Sequence, residues 1–129
     1  MDVGVIGVGA MGKNHVRIYS ELKGVGNLYV FDPIAENAAR TKEFATICSS
    51  AKELLGVVDA VSICVPTKYH FETAKMALDA GVNCLIEKPM TLTVKEGEEL
   101  LGLLRGKEII VGVGHIERFN PIVEEIKKI

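Results

Sequence analysis

Three glycines in the run VGVIGVGAMGKNH, at Gly7, Gly9 and Gly12, restrict this chain more than any other feature. They form G-x-G-x-x-G directly after a short apolar run that reads as a strand, and they open a segment that reads as a helix. Each part of such a turn has a physical task. Gly7 permits the tight bend, Gly9 lets the backbone come close to a pyrophosphate, and Gly12 lets helix and strand pack closely. Ala10 and Met11 complete the turn, and the amides at the helix start face the anion. Asp32 lies at the end of a second β-rich run, twenty residues past Gly12. A carboxylate there accepts hydrogen bonds from a ribose diol and repels a 2′-phosphate. No arginine follows it before Arg40, so NAD is favoured over NADP. The competing reading is purely geometric: glycines also make turns for their own sake, and Asp32 before Pro33 can simply cap the next helix.

The rest of the chain supplies the context this motif needs. Short β-rich runs at 2–7, 27–32, 58–64, 82–87 and 108–113 alternate with longer helical segments, and a weaker run at 45–48 adds a sixth candidate strand. Parallel strands require long crossovers, so the alternation predicts an α/β fold. The expected form is a doubly wound parallel sheet of the Rossmann type in a three-layer αβα arrangement with right-handed connections. Phe71, Ala74 and Leu78 mark the inner face of one helix, which Gly81 ends. Thr93 and Glu96 have capping-box spacing, with Val94, Leu101 and Leu104 expected along a core-facing stripe. Asn120 and Pro121 start a last helix whose apolar stripe, Ile122, Ile126 and Ile129, calls for further chain or a partner to cover it.

A length of 129 residues suits one domain, and a net charge of −2 offers no footprint for nucleic acid or membrane. No apolar run approaches the ~20 residues needed to span a bilayer, and the first strand leaves no room for a signal peptide, so a cytoplasmic location is expected. Cys48, Cys64 and Cys84 have neither an even count nor C-x-x-C spacing and read as reduced, mostly buried thiols rather than a metal site.

A second feature is CLIEKPM, residues 84–90. Cys84, Leu85 and Ile86 read as sheet interior, whereas Glu87, Lys88 and Pro89 fall at the carboxyl end of the strand, where open α/β sheets place their ligands. Lys88 is therefore either a surface lysine or a group aimed at chemistry. His70, in a first helical turn, reads on its own as a surface or interface residue. His15 reads as structural, and Glu117 with Arg118 as a solvated pair.

Taken together, VGVGAMG, SICVPTKYHFETAKMALDAGVNCLIEKPM and VGHIERFNP resemble the amino-terminal half of the glucose-fructose oxidoreductase, inositol dehydrogenase and MocA family, over essentially the whole chain. The last stretch resembles the sugar and nucleotide-sugar dehydrogenases in particular. The resemblance implies that residues 1–119 are a dinucleotide-binding Rossmann domain and that 120–129 begin a helix leading toward a substrate domain. Val65, Pro66, Thr67 and His70 would lie along the dinucleotide. Glu87 would contact the nicotinamide-side ribose and Lys88 the reacting oxygen, by handling its proton or stabilising its charge, with Pro89 setting the angle. His115, Arg118 and Asn120 would line the nicotinamide side or a domain junction. The function so implied is hydride transfer between NAD and a secondary alcohol of a sugar, cyclitol or nucleotide sugar, in a full-length form that is a homo-oligomer. The alternatives are a non-catalytic dinucleotide sensor and a Rossmann-like domain for another adenine-containing ligand.

Overall fold

The computed structural model describes residues 1–129. Six strands, β1 (Val3–Ile6), β2 (Leu28–Phe31), β3 (Thr46–Ile47), β4 (Ala60–Ile63), β5 (Asn83–Ile86) and β6 (Val111–Val113), form one parallel sheet in the order β3-β2-β1-β4-β5-β6. The order reverses direction between β1 and β4, which opens a crevice at the carboxyl ends of those two strands. The interleaved helices are α1 (Gly12–Glu21), α2 (Ala35–Ala39), α3 (Ala51–Leu55), α4 (His70–Asp79), α5 (Val94–Leu104) and α6 (Pro121–Ile126). One-turn 3₁₀ segments precede α4 and α6, at Thr67–Tyr69 and Ile116–Phe119.

Strand alternation divides the core into two layers. Val3, Val5, Leu28 and Val30 face Val16 of α1 and Ala38 of α2. Ile6, Val61, Ile63, Cys84 and Ile86 face Leu54 and Leu55 of α3, Phe71, Ala74 and Leu78 of α4, and Leu100 of α5. This is the three-layer αβα arrangement the alternation predicts, with α1 and α2 on one face and α3, α4 and α5 on the other, as crossovers of a single hand require. The layers are closely fitted. A Cβ on Gly4 would run into the side chain of Leu54, itself wholly buried, so the missing side chain on β1 is the space that α3 fills.

Register places the strand ends in line. Ile6 pairs with both Phe31 and Ile63, Ile63 with Ile86, and Ile86 with Val113, so Gly7, Asp32, Cys64, Glu87 and Gly114 follow as one row along the sheet edge. At the opposite edge the Asp2 carboxylate accepts from the Asn27 amide at 2.8 Å, a bond that holds its carboxyl below the usual range and ties the start of β1 to that of β2.

Local signals mostly act as expected. Thr93 and Glu96 form a complete capping box, Gly81 ends α4 at a φ of 76°, and the Asn120 side chain accepts from the Ile122 amide with Pro121 in the first turn of α6. One expectation holds only in part on α5. Leu104 packs half-buried against the core, but Val94 and Leu101 are exposed at 79% and 60%, and the residues turned fully inward are Gly97 and Leu100. The buried stripe is offset by about one residue, ~100° of helical rotation, from the one the apolar spacing suggests. Gly97 lies beneath Met90 and Thr91, where a Cβ would meet Met90 at 3.2 Å, so close approach selects the glycine face over a bulkier one. The stripe on α6 is also exposed, Ile122 at 57% and Ile126 at 62%.

Replacing Leu54 by alanine empties the space next to Gly4 without touching the strand-end row. The expected cost is about 2–5 kcal/mol of unfolding free energy, read as a lower midpoint in urea at unchanged slope.

Candidate functional site

The turn after β1 brings unpaired amides to the crevice. Gly7 adopts a φ of 85° and donates to the Phe31 carbonyl at 2.8 Å; a Cβ there would lie 2.7 Å from the Val65 nitrogen. A Cβ on Gly12 would fall on the Gly7 carbonyl oxygen. Gly9 has nothing within 4 Å of its Cβ position, because that position faces open cleft. The Val8 amide donates to Asp32 Oδ2 at 2.8 Å, whereas the amides of Gly9, Ala10, Met11 and Gly12 find no acceptor within the protein. Four free N–H groups at the amino end of a ten-residue helix make a site of positive potential suited to a pyrophosphate.

Asp32 is placed for both tasks that the sequence leaves open. Oδ1 accepts from the Ile34 amide at 2.8 Å, so the residue does brace the approach to α2, and Oδ2 accepts from Val8 and from Asn37 at 3.3 Å. The carboxylate is also on the wall of a cleft of about 840 Å³ that runs along the crevice. Gly7, Gly9, Ala10, Met11, Val65 and Pro66 line the same cleft, and Ile34, Tyr69 and Met76, all largely exposed, give it apolar walls. Those three residues were not legible as cleft residues, since Ile34 and Tyr69 precede helices and Met76 sits within α4 like any apolar helical side chain. A depression of about 730 Å³ at the other edge of the sheet has the opposite character. It is bordered by the carboxyl ends of α3 and α4 and by Asp59, Asp79 and Lys52, so it lacks the positive helix ends of the crevice.

A smaller cleft of about 170 Å³ adjoins the first through Met11, Cys64, Val65 and Pro66, and it is lined further by Thr67, His70, Glu87 and Lys88. Lys88 is exposed and Glu87 only 7% exposed, and the Lys88–Pro89 bond is cis. Burial, and then the nearby Glu87 carboxylate, push the Cys64 thiol up to about 12, so this cysteine at the crevice is a neutral wall and not a nucleophile. Arg118 is exposed on its 3₁₀ segment and borders neither cleft, and Glu117 bonds to Asn120 rather than to it.

His70 departs from the surface reading. It is 1% exposed, with Nδ1 2.8 Å from the Pro89 carbonyl oxygen and Nε2 2.8 Å from the Val65 carbonyl oxygen. One ring thus joins the loop after β4 to the loop after β5, the two segments that carry Thr67 and Lys88. Behind the strand ends lies a second polar group that the sequence reading left as structural: His15 of α1 bonds to Glu87 and to Ser62, and Ser62 to Tyr19. The available signal was Ser62 itself, a hydroxyl inside the apolar run AVSIC.

Comparisons with known proteins agree with this geometry. A model of the GFO/IDH/MocA oxidoreductase family, described as having an NAD-binding Rossmann fold, matches residues 1–115. UDP-N-acetylglucosamine 3-dehydrogenase of Acidithiobacillus ferrooxidans is 40% identical over 99% of the chain, and its structure superposes with a TM-score of 0.89, covering 42% of that protein. Inositol 2-dehydrogenase of Corynebacterium glutamicum is 31% identical over the whole chain, which covers 40% of it. A dehydrogenase structure from Clostridium difficile superposes at a TM-score of 0.90 with 27% identity over 99% of the chain and 43% of its own. The chain therefore spans about two fifths of the length of these relatives.

Because the His70 ring bridges the Val65 and Pro89 carbonyls, His70→Phe fills the space but removes the ring N–H that ties the two loops. A loss of about 1–3 kcal/mol is expected in urea unfolding, together with faster hydrogen exchange in residues 65–70 and 87–90.

Proposed function

As the chain belongs to the GFO/IDH/MocA oxidoreductase family with its NAD-binding Rossmann fold, we propose that it is the cofactor-binding part of a dehydrogenase. In this reading the enzyme moves hydride between NAD and a secondary alcohol of a sugar, cyclitol or nucleotide sugar. The observation that carries it is the shared sheet edge: four unpaired amides at residues 9–12, the Asp32 carboxylate on one side of them and the Glu87–Lys88 pair on the other. The relatives named for UDP-N-acetylglucosamine and inositol support the substrate class.

The residues present fit a dinucleotide. The amides hold the pyrophosphate, and Gly9 leaves room for it where any side chain would intrude. Asp32 takes the adenosine ribose with the lone pairs that Val8, Ile34 and Asn37 leave free, and Ile34, Tyr69 and Met76 flank the base. That orientation directs the other half of the ligand across the switch point to Thr67, Glu87 and Lys88. Bound there, the nicotinamide supplies the hydride chemistry. Lys88 then stands at the reacting oxygen, where its ammonium stabilises developing alkoxide charge or its amine takes the proton. Glu87 orients the ribose beside it. Residues 1–119 form the dinucleotide unit, and the helix from Pro121 leads toward the part that holds the substrate.

A carboxylate at position 32 predicts the choice of cofactor. Calorimetric titration should give NAD at least ~10-fold tighter binding than NADP, and Asp32→Ala should erase that preference; equal affinities in the unaltered protein would remove the ribose argument. For Lys88, the expectation in the complete enzyme is a fall in kcat of about 10²–10⁴ on substitution by alanine, with NAD affinity nearly unchanged. Turnover close to normal would take Lys88 out of the mechanism.

A further inference from the structure

His15 projects from the end of the first turn of α1 toward the end of β5, linking the helix whose amino end holds the free amides to the strand that leads into Lys88. Its Nε2 is 3.0 Å from Glu87 Oε1 and its Nδ1 is 3.1 Å from Ser62 Oγ, which is 2.6 Å from the Tyr19 hydroxyl. The two partners of the ring differ in kind, and that difference orders the chain of bonds. A carboxylate offers only acceptors, so Nε2 carries a hydrogen toward Glu87. In the neutral ring Nδ1 then accepts, the Ser62 hydroxyl donates to it, and the Ser62 oxygen accepts from Tyr19. Every member is satisfied, and no buried polar side-chain atom in the protein is left without a partner.

The arrangement is costly to build for packing alone. Ser62 is wholly buried in a central strand, where an apolar side chain needs no partner, and Glu87 is 7% exposed. Glu87 is also held on its remaining sides. Oε2 accepts from the Lys88 amide at 3.2 Å, and β6 offers no room, since even a Cβ on Gly114 would lie 3.0 Å from Oε1. The carboxylate is thus fixed in one rotamer at the wall of the smaller cleft, with His15 as its only side-chain donor.

We propose that His15 is a positioning residue for Glu87: through the Nε2–H bond it fixes the carboxylate that receives the nicotinamide half of the dinucleotide and, through the Lys88 amide, the backbone that carries Lys88. The inference rests on the dinucleotide reading above and adds to it a residue that lines neither cleft and acts through Glu87. It also assigns Ser62 and Tyr19 a purpose, which is to hold the ring in the tautomer that donates to Glu87.

Two measurements test it. In ¹⁵N-histidine spectra of the free protein, with His15 identified by its loss in His15→Gln, the ring should be the Nε2–H tautomer, and Ser62→Ala should mix the tautomers. An Nδ1–H ring in the unaltered protein overturns the proposal. Titration with two nucleotides then separates positioning from support of α1. His15→Leu should weaken NAD about 10- to 100-fold while leaving ADP, which lacks the nicotinamide half, bound as before, and His15→Gln, whose amide can still donate to Glu87, should recover part of the loss. Unchanged NAD binding in His15→Leu, or equal weakening of NAD and ADP, overturns the inference alone. If the unaltered protein binds ADP but gains nothing from the nicotinamide half, or binds neither nucleotide, the dinucleotide reading falls and takes this inference with it.

Discussion

The contact between Gly12 and the carbonyl of Gly7 is the constraint on which the remaining structure depends. No side chain fits between them, so α1 begins directly over the end of β1 and its first amides are left pointing outward. Position 7 adds a left-handed backbone that only glycine adopts without strain. Once α1 is placed, Val16 seals one face of the sheet, His15 reaches β5, and Asp32 is drawn to the Val8 amide across the top of β2. The anion-binding potential, the core on one face and the polar link to Lys88 therefore share one origin in backbone packing.

Much of this was legible because local chemistry and tertiary need coincide. The glycine spacing, the capping box at Thr93 and Glu96, the proline after Asn120 and the apolar runs each state a backbone conformation that the fold also requires. Even the two-residue β3 shows in its apolar run. The row of Gly7, Asp32 and Glu87 was legible for a related reason: strand ends can be read from apolar runs, and in a parallel sheet the carboxyl ends of the strands are where a candidate site lies.

What stayed hidden depends on rotation and distance, which a sequence does not display. Val94 and Leu101 have the right spacing for a buried stripe, but the close approach of Met90 and Thr91 to Gly97 turns α5 the other way. His70 and His15 look like isolated histidines on helices. Their meaning comes from partners 19 and 72 residues away, Pro89 and Glu87, that only the crossover connections bring near. Arg118, close in sequence to the end of β6, sits in a 3₁₀ turn and borders neither cleft, which leaves it on the side of a domain junction.

The level ending of the strands also makes the sheet a measuring device. Asp32 and Glu87 sit on β2 and β5 at the same level, separated by β1 and β4, so three interstrand steps of ~4.8 Å put them ~14 Å apart. That interval is set by hydrogen-bond spacing, which no side-chain substitution alters. The scaffold thus sets the span that a ligand must have to touch both carboxylates, whatever the side chains around them. Drift at individual crevice residues can retune affinity, but only a molecule long enough to span that interval can engage both carboxylates at once.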